Sequence, residues 1–398
     1  MRIADDADLN RFRLGFREFL AAEAPDIPVR AGFRSPENED EDRVRKEWRA
    51  KLYTAGYLGA DWPEEWGGGG DWNPVYDLVV SEEVARAGLP PLTDQTHLAA
   101  FALIRFGTEE QKARFLPPIR EGRETWCQLF SEPDAGSDLA AMRTEAKPLE
   151  EGGYLVNGQK VWSSNAAWAD WGFLLARSDT SLDRHRSISA FIVPMDAPGI
   201  EIRPLREITG TEDFSEVFME DVAIAGDALL GEREQGWRVA MESLGAERAG
   251  IGAGGARLRE LLEMMIDFAG EDDGSGHVPL ESSDVRQEIG RIATEIEVNN
   301  LLVQLKLGRE LRGDERPSDV PIGKLVFSEL NLAMAEFALE LQGSRSILTE
   351  GDPRVVQAGR WQDEFLYART YTVAGGASEI MRNIIAERAL GMPREPRG

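Results

Sequence analysis

Cysteine and histidine are scarce in this chain. Cys127 stands alone in 398 residues, which excludes an internal disulfide and any multi-cysteine metal site and agrees with a reducing compartment. His97, His185 and His277 complete the imidazole inventory, none with a second histidine at ligand spacing, so no catalytic metal is expected. No apolar stretch is long enough to span a bilayer, and the start, Met1-Arg2-Ile3-Ala4-Asp5-Asp6, turns acidic at once, without the basic lead and apolar core of an export signal. A soluble, cytoplasmic protein with no membrane insertion is the expectation. Basic residues are also in short supply: 45 Lys and Arg against 71 Asp and Glu leave a formal charge of -26, and the cations are scattered among acids, which excludes nucleic acid as a partner. The surplus acid reads as solvated surface, with a docking face for a protein partner left open. No segment repeats at the periods that mark solenoids.

What is present describes a large globular chain. Apolar residues make up 42%, and the length exceeds what one growing core accommodates, so two or three regions are expected. Leu9, Phe12, Phe16, Phe19 and Leu20 recur at helical spacing, as do Val44, Trp48 and Leu52, and Thr108-Glu109-Glu110-Gln111 has the form of a capping box. The glycine-rich stretch Trp62 to Trp72 reads as a loop, since it lacks the Gly-Lys-Ser/Thr ending of a phosphate loop. From about Glu124 to Leu230 short runs of β-branched and aromatic residues alternate with Gly, Asn, Asp and Pro, and Asn157-Gly158 between two such runs predicts a hairpin turn. After Gly236 long helical patterns return, broken near Glu271 to Pro279, Gly313 to Pro321 and Gly351 to Pro353. The order of helices, strands, helices predicts an α+β fold: an N-terminal helical domain (1–123), a middle β-barrel or sandwich-like domain (124–231) and a C-terminal four-helix-type bundle (232–398).

Gly250-Ile-Gly252-Ala-Gly254-Gly255 satisfies the dinucleotide pattern G-x-G-x-x-G, with Asp272 and Asp273 at a suitable distance, but its context is wrong. The preceding Ala240 to Ala249 looks helical, so these glycines thin a helix for close approach, either of an acyl group or of another helix. More specific is a pair of motifs in the β block, Phe130-Ser131-Glu132-Pro133-Asp134-Ala135-Gly136-Ser137-Asp138 and Asn157-Gly158-Gln159-Lys160-Val161-Trp162-Ser163-Ser164-Asn165. Taken singly, each fits a turn entering a strand. Together with Ala374-Gly375-Gly376-Ala377-Ser378-Glu379-Ile380-Met381-Arg382-Asn383 and Leu390-Gly391-Met392-Pro393-Arg394, in this order, they resemble the acyl-CoA dehydrogenase family over nearly the whole chain.

The resemblance implies FAD as cofactor, an acyl-CoA thioester as substrate, an electron-transferring flavoprotein as acceptor, and a homotetramer or mixed tetramer with FAD between subunits. Carried over by matching motifs, main chain near Phe130 and Ser131 meets the flavin, Trp162 flanks its ring and the Ser164 hydroxyl reaches N5. Gly136 and Ser137 lie near pyrophosphate and thioester, while Gly343, Ala377 and Glu379 complete the cofactor contacts. Removing the α-proton while hydride leaves the β-carbon requires a base across the substrate from the ring. Many members carry that glutamate just before a C-terminal Gly-Thr-Ser-like motif; here Gly376-Ala377-Ser378 is preceded by Gly375, so that position is empty. The isovaleryl-CoA dehydrogenase-like branch places it on a helix before an arginine, which Leu244-Gly-Ala-Glu247-Arg248 matches. Glu247 is thus the candidate base, set against an ordinary solvated helical pair, with Arg248 and Gly375 on the substrate side.

Two departures stand out. The usual Arg-x-x-Phe-Gly is replaced by Phe268-Ala-Gly-Glu-Asp, and Glu340 stands where the family's Gln-x-x-Gly-Gly has glutamine. A carboxylate beside a pyrophosphate is unfavourable unless it turns away or Gln342 substitutes. Such departures occur in branches that form mixed tetramers. Two alternatives therefore accompany dehydrogenation: a subunit silent on its own, or a relative working as an oxidase or monooxygenase or on a carrier-protein thioester.

Overall fold

The computed structural model describes residues 7–69, 73–92, 94–252, 254–272 and 276–394. The acidic start, the end of the glycine run at Gly70 to Trp72, and Asp273 lie outside them. Five helices open the described chain: α1 (Ala7–Glu23), α2 (Glu39–Thr54), α3 (Val75–Arg86), α4 (Gln95–Phe106) and α5 (Glu109–Arg120). Strands follow: β1 (Trp126–Leu129), β2 (Glu145–Pro148), β3 (Tyr154–Ser164), β4 (Trp171–Arg177), β5 (Ile188–Pro194), β6 (Ile200–Leu205), β7 (Phe214–Ile224) and β8 (Leu229–Leu230). Helices return as α6 (Gly236–Gly252), α7 (Gly255–Ala269), α8 (Ser283–Glu310), α9 (Asp319–Gln342), α10 (Arg360–Val373) and α11 (Ser378–Ile384).

The elements gather into two compact units, one of residues 1–33, 73–91 and 247–398, the other of 34–72 and 92–246, so the N-terminal helices are shared between them. In the first unit the apolar stripe of α1 buries Leu9, Phe16 and Leu20, and Leu9 joins Val75, Val79 and Leu307 in one cluster. The larger core of this unit lies among α7, α8, α9 and α10, around Leu258, Met265, Ile292, Met334 and Trp361. Its breaks fall where Gly and Pro predict them. The glycines after α6 serve helix packing: a Cβ on Gly255 would sit 2.1 Å from Asn300 Oδ1, and one on Gly254 would sit 2.4 Å from the Phe327 ring.

In the second unit, α5 starts with the reciprocal capping box of Thr108 and Gln111, and its Phe115, Leu116 and Ile119 pack with α4 and the sheet. The eight-stranded sheet runs β6-β7-β3-β2-β4-β5-β8, with β1 added in parallel beside β4. Its strands bury residues on both faces: Phe173, Leu175, Ala190 and Ile192 on the helix side, Leu174, Ala176, Phe191 and Val193 on the other. This double coverage fits a β4 and β5 that read as continuous apolar runs.

Asn157-Gly158 is not the hairpin turn its sequence suggests. Both residues lie inside β3, at a register shift against β7 between Val156 and Gly158, and the chain reverses earlier, through Leu149 to Gly153. Packing overrides turn propensity here: a Cβ at Gly158 would come 2.4 Å from Thr144 Oγ1 and 2.8 Å from its Cα, so the glycine marks close backbone approach at a bulge. Gly158→Ala is expected to destabilise the chain by about 1–3 kcal/mol, read as a lower urea midpoint at unchanged slope. No helix among the described residues is long and apolar enough to cross a membrane, and no group of three His, Cys, Asp or Glu among them is placed to hold a metal.

Candidate active site

The candidate residues fall into two sets, one in each unit. In the sheet unit, Phe130 and Ser131 leave the end of β1; the Phe130 ring stands edge-on to Phe173 at 4.9 Å, and the Ser131 carbonyl accepts from Val161 N–H at 3.0 Å. A tight reversal follows, Glu132 and Ala135 exchanging backbone hydrogen bonds at 3.1 and 3.0 Å, and presents Gly136 and Ser137 to solvent. No atom among the described residues lies within 4 Å of where a Gly136 Cβ would stand.

Lys160 fixes this loop from below. Fully buried, it donates to the Phe130 carbonyl at 3.0 Å and to Glu132 Oε1 at 2.8 Å. The Glu132 carboxylate also accepts from Arg143 N–H at 2.5 Å and Thr144 N–H at 2.9 Å. Burial pushes the Lys160 ammonium down to about 8, with Glu132 opposing. Burial would raise Glu132, but the Lys160 charge and its three donors hold it below the ordinary carboxylate value.

A second bulge in β3, between Lys160 and Ser163, turns Trp162 to φ 59 and leaves its indole 61% exposed, edge-on to Phe214 at 6.0 Å. A large aromatic held in a left-handed conformation on the surface is an expensive arrangement for folding alone. The Ser163 hydroxyl is buried without a hydrogen-bond partner among the described residues, and Ser164 is half-buried. Asn165, at φ 60, ends the strand with its N–H donated to the Asp213 carbonyl at 3.1 Å. Ser35 and Arg34 close the bend: Ser35 Oγ donates to Asn165 Oδ1 at 2.5 Å, and the Asp213 carboxylate accepts from Ser35 N–H and Arg34 Nη1, both at 2.8 Å. Nothing in the periodicity of this segment singled out Arg34, Ser35 or Asp213. The exposed indole, the open side of Gly136 and the half-buried Ser164 hydroxyl are what the expected flavin ring and pyrophosphate require, so the residues present fit that cofactor.

In the helical unit, Glu247 and Arg248 sit on α6. Glu247 Oε2 is sealed from solvent with no hydrogen-bond partner among the described residues, although the residue as a whole is only half-buried. Burial raises its pKa, against the nearby charges of Arg248 and Lys324. A solvated helical pair would show neither feature. Arg248 Nε donates to the Gly375 carbonyl at 2.7 Å, so its guanidinium is engaged with the turn at Gly375 and Gly376. Both glycines are left-handed, at φ 63 and 98, and a Cβ on Gly376 would come 2.5 Å from Met381 Cε. Lys324, fully buried on α9, donates to the carbonyls of Tyr371 at 2.6 Å and Gly376 at 2.7 Å. Sequence reasoning missed it. The available signal was a lysine in the same helical stripe as Phe327, Ser328 and Asn331, where burial of an ammonium needs a reason.

Ala377 and Glu379 lie at the start of α11, Glu379 exposed. Gly343, at φ 54, ends α9 and so stands roughly 28 Å along that helix from Lys324, apart from the Glu247 cluster. Glu340 is exposed, while Gln342 is buried and accepts from Gln362 Nε2 at 3.0 Å, so it is the amide that faces inward there.

Comparison with known proteins points one way. The acyl-CoA dehydrogenase N-terminal, middle and C-terminal domain descriptions match residues 6–123, 127–222 and 234–390. The acyl-CoA dehydrogenase IpdE1 of Mycobacterium tuberculosis is 36% identical over 98% of this chain and 100% of its own length. Among solved structures, the Tcur3481-Tcur3483 steroid ACAD superposes with a TM-score of 0.87 at 28% identity, covering 99% of this chain and 100% of that one. The ChsE4-ChsE5 complex from Mycobacterium tuberculosis does so with a TM-score of 0.84 at 29% identity, over 99% and 100%.

Proposed function

Since the chain belongs to the acyl-CoA dehydrogenase family, whose members are FAD flavoprotein oxidoreductases, we propose that it desaturates an acyl-CoA thioester between Cα and Cβ with Glu247 as base. The observation that carries this reading is the enclosed Oε2 of Glu247, without a hydrogen-bond partner among the described residues and near two cations. An oxygen so placed has a free lone pair for a proton. Burial raises its basicity above that of a solvated carboxylate, and Arg248 and Lys324 favour its ionised form.

Bound FAD supplies the hydride acceptor. Around it, the chain's own groups have separable tasks. The Trp162 indole excludes water from the ring, and the Ser164 hydroxyl offers a hydrogen bond where negative charge arrives. Main chain at Phe130 and Ser131 borders the flavin, and Gly136 and Ser137 give room to phosphate and thioester. Ala377 and Glu379, and at a separate position Gly343, are the further cofactor contacts assigned by motif. Electrons leave to an electron-transferring flavoprotein in the cytoplasm, and the working divisions of the chain are 1–123, 124–231 and 232–398.

The acyl group we assign is bulky and steroid-like, supported by the likeness to an enzyme named as a steroid ACAD. A second reading, in which this chain is one half of a mixed tetramer, is favoured by the Phe268-Ala-Gly-Glu-Asp departure and by likeness to structures named for two components. Anaerobic titration of the purified chain with short, long, branched and steroid-like acyl-CoAs tests both. Bleaching of the flavin band by the steroid-like members alone is the expected result. Bleaching by short linear ones instead overturns the substrate class, and a chain that purifies colourless and stays so with added FAD favours the two-component reading.

A further inference from the structure

Lys324 has entered the reaction so far only as a charge near Glu247, yet it is a fully buried ammonium in the helical unit, on the buried stripe of α9 with Phe327, Ser328 and Asn331. Two of its three N–H donors go to carbonyls at either side of one turn, Tyr371 at 2.6 Å and Gly376 at 2.7 Å. The same turn is held from α6 by Arg248 through the Gly375 carbonyl at 2.7 Å. Because Gly375 and Gly376 are both left-handed and carry no side chain to wedge them, the turn depends on these outside donors for its shape. Arg248 is the chain neighbour of Glu247, so the base, the arginine, the turn and the lysine are linked in series, and the Lys324 charge acts on Glu247 through space.

We infer that Lys324 is a positioning residue for this reaction: it fixes the Gly375-Gly376 turn through two carbonyls, and its charge keeps Glu247 in the carboxylate form that accepts the α-proton. The second half rests on Glu247 being the base; the first does not. The charged groups around Lys324 are Arg248 and Glu247 from α6, Glu329 from its own helix and Glu379 from α11, while α10 contributes the Tyr371 carbonyl. Burial and Arg248 bring the Lys324 pKa down to about 8, against the three carboxylates, so the group is still an ammonium at neutral pH. The sign follows: removing a cation beside a carboxylate destabilises the ionised form, so the pH needed to generate the base goes up.

Two variants separate the tasks. Lys324→Met removes donors and charge; Lys324→Gln removes the charge but keeps an N–H donor, one bond nearer the backbone. Amide exchange is followed by mass spectrometry in the FAD-loaded chain and in the chain stripped of FAD, comparing a peptide over 371–381 with one over β4 as a control. The pH profile of flavin reduction is recorded for the same proteins. For Met, exchange in 371–381 is expected to rise about tenfold or more with β4 unchanged. The acid limb of reduction should move up by about one pH unit in both variants. Gln should recover part of the exchange protection and none of the limb. Unchanged exchange in Met with β4 intact overturns the turn-fixing role, and an unmoved limb in both variants overturns the electrostatic one. If Met loses β4 protection too, the decision passes to Gln, whose limb must still move. Should Glu247 itself prove dispensable, the limb has no bearing on Lys324, and the exchange result alone decides.

Discussion

Glu247→Gln is expected to keep FAD bound and to slow anaerobic flavin reduction by acyl-CoA by about 10²–10⁴-fold, the range over which a positioned general base acts. Gln has the shape of Glu, and Glu247 Oε2 makes no hydrogen bond among the described residues, so the exchange disturbs no observed partner of that oxygen. What it removes is the capacity to take a proton. The effect should fall on the reduction step at saturating substrate, not on substrate affinity, since no binding contact is assigned to this oxygen. In the parent chain the same group sets an acid limb: burial raises its pKa, so reduction should fail on acidification at a pH above the ordinary carboxylate range. Stopped-flow bleaching of the visible flavin band across pH measures both. Undiminished reduction in the Gln variant moves the base to another residue.

The second large effect is on stability. Lys160→Met leaves Glu132 as a buried carboxylate without its cation, and breaking one side of such a pair is expected to cost about 3–5 kcal/mol. The two backbone donors from Arg143 and Thr144 remain on Glu132, which places the result towards the lower end. The Phe130 carbonyl loses its donor as well, so the loop that carries Ser131 and Gly136 should loosen along with the fold. Denaturant unfolding followed by tryptophan emission gives the first quantity. The double variant Lys160→Met/Glu132→Gln should be less unstable than the sum of the singles, because it leaves no unpaired charge. Strict additivity, or a Lys160→Met midpoint equal to that of the parent, would remove the ion pair from the account of how this loop is held.

Much of this architecture is legible in the sequence alone. Apolar spacing located α1 and α2, the capping box located the start of α5, and Gly and Pro marked the breaks after α7, α8 and α9. Asn157-Gly158 misled because turn chemistry is a local signal, whereas the close pass of Thr144 over Gly158 is set by a neighbouring strand. The site divides the same way. Residues inside contiguous motifs, such as Phe130, Trp162 and Ser164, could be matched by pattern. Arg34, Ser35 and Asp213 could not, because their network joins segments about 180 residues apart, with separations of 178 and 179 for two of its bonds, and no periodicity encodes such a meeting. Lys324 lies between these cases: its helix was visible, but its carbonyl partners lie 47 and 52 residues further on.

Lys160 and Lys324 share one more property. Thioesters acylate exposed amines without help, and a protein that repeatedly meets acyl-CoA is exposed to that side reaction over its whole surface. Both ammonium groups are wholly enclosed, so neither can be reached by a passing thioester while the chain stays folded. Acyl marks on these two side chains would therefore record molecules that had opened, making the pair an internal gauge of unfolding in a sample aged with its own substrate.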